Sequence, residues 1–171
     1  MNAGMVSDGT RPTGTLPDPT LRDRVWAAVA SVDDPEYPGI SIVDLGLLES
    51  IEVRPGGDVQ ISLVPTFSGC PALTMIADDV RSAVSAIDGV AGPRVGVRWL
   101  TGPAWTVERL TEVGRDALAR EFTVAVRIGL GPVPCPRCGG DTTEDSMFGP
   151  SRCRAIHVCR SCTEVVEVMR A

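Results

Sequence analysis

Cys135-Pro136-Arg137-Cys138 and Cys159-Arg160-Ser161-Cys162 constrain this chain more tightly than any other stretch of it. Two C-x-x-C knuckles with residues 139–158 between them have the spacing at which four sulfurs converge on one tetrahedral ion. The tail that carries them has few large apolar side chains and cannot bury enough surface to fold alone, so metal binding is expected to supply its folding free energy. Zinc suits four thiolates best, and an iron-sulfur cluster uses the same ligand set. Cys153 and His157 lie between the knuckles, and each is a candidate replacement ligand, although a lone cysteine or histidine more often packs. All six cysteines could in principle form disulfides, but the paired spacing favours thiolate ligands in a reducing compartment.

Charge narrows the partners. There are 22 acidic residues against 16 basic ones, all of them arginine, giving a net charge of -6. Phosphate backbones are bound largely through displacement of counterions by protein cations, so nucleic acid is a poor expected partner. The tail itself, with arginines matched by acidic residues, lacks the positive excess of a DNA-binding ribbon. No apolar run approaches the roughly 20 residues of a membrane span, and the first twenty residues have no apolar centre of a secretory signal. The expectation is a cytoplasmic protein with no membrane contact.

Residues 1–19, rich in Gly, Pro, Thr and Asp, read as a flexible tail. Leu21, Val25, Ala28, Val29 and Val32 then recur at helical spacing behind Thr20, a helix cap, and Asp33-Asp34-Pro35 ends the helix. After a loop through Asp44-Leu45-Gly46, Ile51 and Val53 alternate with polar neighbours, Gly56-Gly57 turns the chain, and Val59, Ile61 and Leu63 alternate again. Leu73, Ile76, Ala77, Val80, Val84 and Ile87 trace one apolar helical face closed by Gly89, and Val95, Val97 and Trp99 form a third strand. A last helix is expected over 107–122 with a weak point at Gly114, and residues 129–134 read as a linker. The fold class is α+β: a small α-β-β-α-β domain over residues 20–128, followed by a four-cysteine zinc-ribbon-like module over residues 129–171.

Cys70 sits in Thr66-Phe67-Ser68-Gly69-Cys70-Pro71, where a strand ends and a helix begins. A helix N-terminus stabilises anions, so this thiol is a candidate reactive group or metal ligand, and equally a small buried residue packing a turn. Asp34, Glu36 and Asp44 are candidates to face the same loop, against the alternative that acidic residues beside Pro and Gly act as caps and turn formers. His157 is the sole histidine, which excludes a Ser-His-Asp triad, and neither a phosphate-binding loop nor a dinucleotide fingerprint occurs. The chain carries no self-contained catalytic machine.

Asp34-Pro35-Glu36, Ser41-Ile42-Val43-Asp44-Leu45-Gly46 and Ser68-Gly69-Cys70-Pro71 resemble the metal-sulfur cluster assembly domain family over roughly residues 20–100. Pro103-Ala104-Trp105-Thr106, Thr111-Glu112-Val113-Gly114-Arg115, the Cys135 knuckle with Gly139, and Phe148-Gly149 ahead of Cys153 look like a family of phenylacetate-degradation proteins. The resemblance implies an accessory role in aerobic phenylacetate breakdown, assisting assembly of an iron or iron-sulfur centre of the multi-subunit di-iron phenylacetyl-CoA epoxidase. It also implies Cys70 as the contact for iron, cluster or sulfur, with Asp34, Glu36, Asp44, Ser68 and Gly69 supporting the loop. The implied partners are the epoxidase subunits or their metal-assembly factors, and a homo-oligomer is open. A non-catalytic structural subunit is the alternative reading. The chain has no paired Glu-x-x-His motif for a di-iron site and no flavin or nucleotide signature, so it is not the oxygenase centre or its reductase.

Overall fold

The computed structural model describes residues 20–90, 94–129 and 131–170. The tail expected over residues 1–19 lies outside them.

Helix α1 (Leu21–Ala30) starts at a capping box. The Thr20 hydroxyl accepts the Asp23 N–H at 3.2 Å, and the Asp23 carboxylate accepts the Thr20 N–H at 3.1 Å. Its buried Val25 and Val29 face helix α2 (Leu73–Ser85), which returns Ile76, Val80 and Val84, while Ile87 packs from the turn that Gly89 closes at φ +90°. The helices cover a three-stranded sheet. Strand β3 (Leu48–Val53) pairs antiparallel with β4 (Val59–Leu63) through the Gly56-Gly57 turn, and β5 (Val95–Trp99) joins the other edge of β4 in parallel after the α2 crossover. Ile61 and Leu63 are fully buried in the central strand.

The stretch after α1 differs from the expectation. The stretch read as a helix stop and loop is a two-stranded hairpin, β1 (Asp33–Asp34) with β2 (Tyr37–Ser41). Its polarity hid it. The Asp33 carboxylate accepts the Gly39 N–H at 2.8 Å and the Asp34 carboxylate accepts the Glu36 N–H at 2.8 Å, so side chains complete a turn that shows no apolar alternation.

The last helical segment also breaks elsewhere than expected. A 3-10 turn (Val107–Arg109) precedes α3 (Glu112–Phe122), which starts afresh where the Thr111 hydroxyl accepts the Gly114 N–H at 3.0 Å. Gly114 is a buried close-approach point, because a Cβ there would meet the Asp44 carbonyl oxygen at 2.5 Å.

The C-terminal sheet has the order β6-β9-β8-β7, built from β6 (Val124–Val126), β7 (Thr142–Ser146), β8 (Arg154–Cys159) and β9 (Val165–Met169). Strands β7, β8 and β9 run antiparallel in turn, and β6 adds in parallel to β9, ahead of residues 129–134 in the chain. Val124 and Met169 belong to the main core, whereas Ala125, Val133, Cys135, Ala155, Cys159, Val166 and Val168 form a second, smaller one. Among the described residues no helix is long and apolar enough to cross a membrane.

Candidate metal centre

The two knuckles are built alike. In the first, the Gly139 N–H donates to the Cys135 carbonyl at 2.9 Å and the Cys135 N–H to the Gly140 carbonyl at 2.8 Å. In the second, the Thr163 N–H donates to the Cys159 carbonyl at 3.0 Å and the Cys159 N–H to the Glu164 carbonyl at 2.9 Å. Both turns need a left-handed residue after the second cysteine: Gly139 supplies φ +75°, and Thr163 accepts φ 60° against its side chain. The Gly140 N–H points at Cys138 Sγ and the Ser161 N–H at Cys159 Sγ, each at 3.4 Å.

These turns bring Cys135, Cys138, Cys159 and Cys162 together, with all four sulfurs within 4.8 Å of one another. Cys135 Sγ lies 3.8 Å from Cys162 Sγ, and Cys138 Sγ 3.5 Å from Cys159 Sγ. Bonds of about 2.3 Å to one tetrahedral ion set its sulfurs about 3.8 Å apart, so the donor set fits a single metal ion. The Cys159 thiol is lowered to about 6, chiefly by the Cys162 N–H, and Cys162 is pushed up to about 12 by neighbouring sulfurs despite the opposing pull of the Glu164 N–H.

The remaining candidates part company. His157, 2% exposed, is no part of the sulfur cluster. The Thr142 hydroxyl gives its one proton to the Val133 carbonyl at 2.8 Å, so the 2.9 Å contact with His157 Nδ1 assigns the ring proton to Nδ1 and leaves Nε2 bare. Burial, with the nearby Arg127 charge, holds this imidazole below its ordinary pKa. Asp44 binds elsewhere. Its carboxylate accepts the Thr111 hydroxyl at 2.7 Å and the Ser41 hydroxyl at 2.8 Å, tying the β2–β3 loop to the cap of α3. Trp105 and Arg109 hold the same loop through the Leu45 and Gly46 carbonyls, at 2.9 and 2.7 Å.

Cys70, Gly69 and Glu36 meet Cys153 across a cleft of about 300 Å³ where the ribbon lies against the first domain. Ser68, exposed in the same turn, does not line it. Burial pushes the Cys70 thiol up, with Glu36 and Asp34 adding to the rise, and that outweighs the Ala72 N–H at the start of α2; the anion-stabilising helix terminus is thus overridden. Asp34 is itself raised by burial.

The residue that sequence reasoning missed is Arg154, which is 9% exposed. Its guanidinium bonds Glu167 on β9, donates to the Ser151 hydroxyl at 2.7 Å, pairs with Glu36 at 3.3 Å and stands 5.2 Å over the Tyr37 ring. Ser151 also donates to Glu36 at 2.6 Å, and the Tyr37 hydroxyl reaches Met169 Sδ at 3.7 Å. The overlooked hairpin is therefore the piece on which the ribbon docks. Sequence carried no signal for it, since partners from opposite ends of the chain meet only in the fold.

Comparison with known proteins matches two families along the chain. Residues 22–97 match the family described as iron-sulfur cluster assembly protein, and residues 123–170 match the PaaD zinc beta ribbon domain. A crystal structure of a domain of unknown function, DUF59, from Bacillus anthracis superimposes with a TM-score of 0.54 at 28% identity, covering 58% of this chain and 92% of that one. Fold and sulfur cluster thus define the class: an assembly-type domain with a four-cysteine ribbon docked on it.

Two relatives place it further. The chain is 31% identical over 98 residues to the Fe-S protein maturation auxiliary factor YitW of Bacillus subtilis (strain 168), covering 57% of this chain and 93% of that protein. Over 158 residues it is 34% identical to an Escherichia coli (strain K12) protein provisionally named as a subunit of 1,2-phenylacetyl-CoA epoxidase, covering 88% of this chain and 92% of that one. The chain belongs to the family of that epoxidase component.

Proposed function

We infer that this chain is an accessory protein of aerobic phenylacetate degradation that assists assembly of an iron or iron-sulfur centre of the phenylacetyl-CoA epoxidase. The observation that carries the reading is the union, in one chain, of an assembly-type domain with a ribbon, matched almost end to end by a relative named as an epoxidase subunit. The maturation factor related to the first domain supports the assembly role. Cys70 is the contact for the metal or sulfur in transit, with Asp34, Glu36 and Gly69 around it, and Asp44 holds the loop through Thr111. The ribbon ion is zinc in a structural role. The sulfur spacing favours one ion over a cluster, whose cysteines are divided among two or more irons and do not all close on one centre. The setting is cytoplasmic, and the partners are the epoxidase subunits.

Cys70→Ser is the test. Epoxidase activity in cells relying on the variant falls while its fold and ribbon metal are retained; activity equal to that of the native protein rejects the assembly role. The relative's designation as a subunit favours a second reading, a non-catalytic structural component. Co-purification with the oxygenase at fixed stoichiometry, insensitive to Cys70→Ser, would support it.

A further inference from the structure

The cysteines outside the ribbon cluster are Cys70 and Cys153, and neither is in a disulfide. They come from different domains, one from the turn before α2 and one from the turn before β8, yet line the same cleft with Glu36, Phe67 and Pro150. Their sharing of this cleft is imposed. Arg154, the residue after Cys153, bonds Glu36 and packs on Tyr37, and the Arg170 N–H donates to the Cys153 carbonyl at 2.8 Å, so the ribbon cannot dock here without carrying Cys153 to the Cys70 turn.

We propose that this cleft is a second metal site, distinct from the ribbon cluster, in which Cys70 and Cys153 together hold one thiophilic divalent ion, ferrous iron in the assembly role. The inference rests on the reading of Cys70 given above and adds its partner ligand. Two sulfurs are fewer donors than a closed structural site uses, which leaves positions open for delivery and removal of the ion. A volume of about 300 Å³ holds more than a bare ion and leaves room for a donor or acceptor group. Arg154 acts electrostatically on both sulfurs and offsets the charge of two thiolates, while its own Nε is buried without a partner.

The test is titration of the full chain, its ribbon loaded with zinc, with cobalt(II), reading thiolate-to-cobalt absorption while zinc release is followed in parallel. The native chain takes up one cobalt per molecule with zinc retained, and Cys70→Ser and Cys153→Ser each lose at least tenfold in cobalt affinity. Loss in Cys70→Ser alone overturns the two-thiol site but spares the role assigned to Cys70. No cobalt uptake beyond the ribbon in the native chain, or unchanged uptake in both variants, overturns the site and removes the metal-contact role of Cys70 as well. Should Cys153→Ser fail to fold, alkylation of the native chain followed by peptide mass spectrometry decides: cobalt protects both cysteines if the site exists, and leaves Cys153 labelling unchanged if it does not.

Discussion

The two halves of this molecule keep their shape by different means. The first domain buries full-sized aliphatic side chains from two helices and three strands, with Val25, Val80, Ile61 and Leu63 removed from water. The ribbon's own core consists of Ala125, Val133, Ala155, Val166 and Val168 with two of the four cluster cysteines. Apolar burial of about 25 cal/mol per Å² sustains the first and is too scarce to sustain the second. The two polar clusters therefore have different consequences: the sulfur cluster inside the ribbon replaces a core, whereas the Glu36–Arg154 pair at the junction joins two units that are each otherwise accounted for.

The strongest way to break this contrast is to remove the metal. Structural zinc contributes on the order of 10 kcal/mol to folding of small four-ligand modules. Chelation, or Cys135→Ser, is expected to abolish hydrogen-exchange protection in β7 and β8 while β3, β4 and α2 stay protected. Uniform loss across both halves would show that they do not differ in kind.

A cavity in the first core makes the converse experiment. Ile61→Ala, at a fully buried position of the central strand, should lower stability by about 3 kcal/mol. Metal content per folded chain should not change, and release of the ion at concentrations where the variant remains folded would refute the division.

The junction comes next. Arg154→Met removes a nearly buried cation and leaves Glu36 and Glu167 without their partner, a change expected to cost about 2 kcal/mol. Calorimetry should resolve two transitions in place of one as the halves uncouple, with zinc still bound. A single transition at the native temperature would mean that Val124 and Met169 in the main core suffice for docking.

The smallest effect sharpens the comparison inside the ribbon. Thr163 adopts φ 60° where the matching position of the other knuckle has Gly139. Thr163→Gly should stabilise the ribbon by up to about 1 kcal/mol, seen as slower zinc transfer to a competing chelator. Faster transfer would show that the Thr163 hydroxyl bond to the Cys162 carbonyl, at 2.6 Å, outweighs the backbone strain.

What could be read in the sequence follows from the range of the interactions involved. The capping box at Thr20, the Gly56-Gly57 hairpin, the apolar face of α2 and the three strands β3 to β5 were legible because each is fixed by residues a few positions apart. The convergence of four cysteines was legible because two local turns and one donor type leave few alternatives. The β1–β2 hairpin was not, since its residues satisfy their backbone with carboxylates and show no alternation. Asp44 and Gly114 were visible as unusual residues, but their reason, a loop pressed against the start of α3, exists only once the chain has closed.

By itself the sequence determined α1, α2 and the strands β3 to β5, and which sulfurs can share an ion, because periodicity, capping and knuckle spacing act along the chain. The tertiary structure alone decided that Arg154 reaches Glu36, that the hairpin seats the ribbon, and that Cys153 lines the same cleft as Cys70. Those pairings depend on how two modules are oriented in space, and orientation is set by packing between distant surfaces that leaves no local pattern to read.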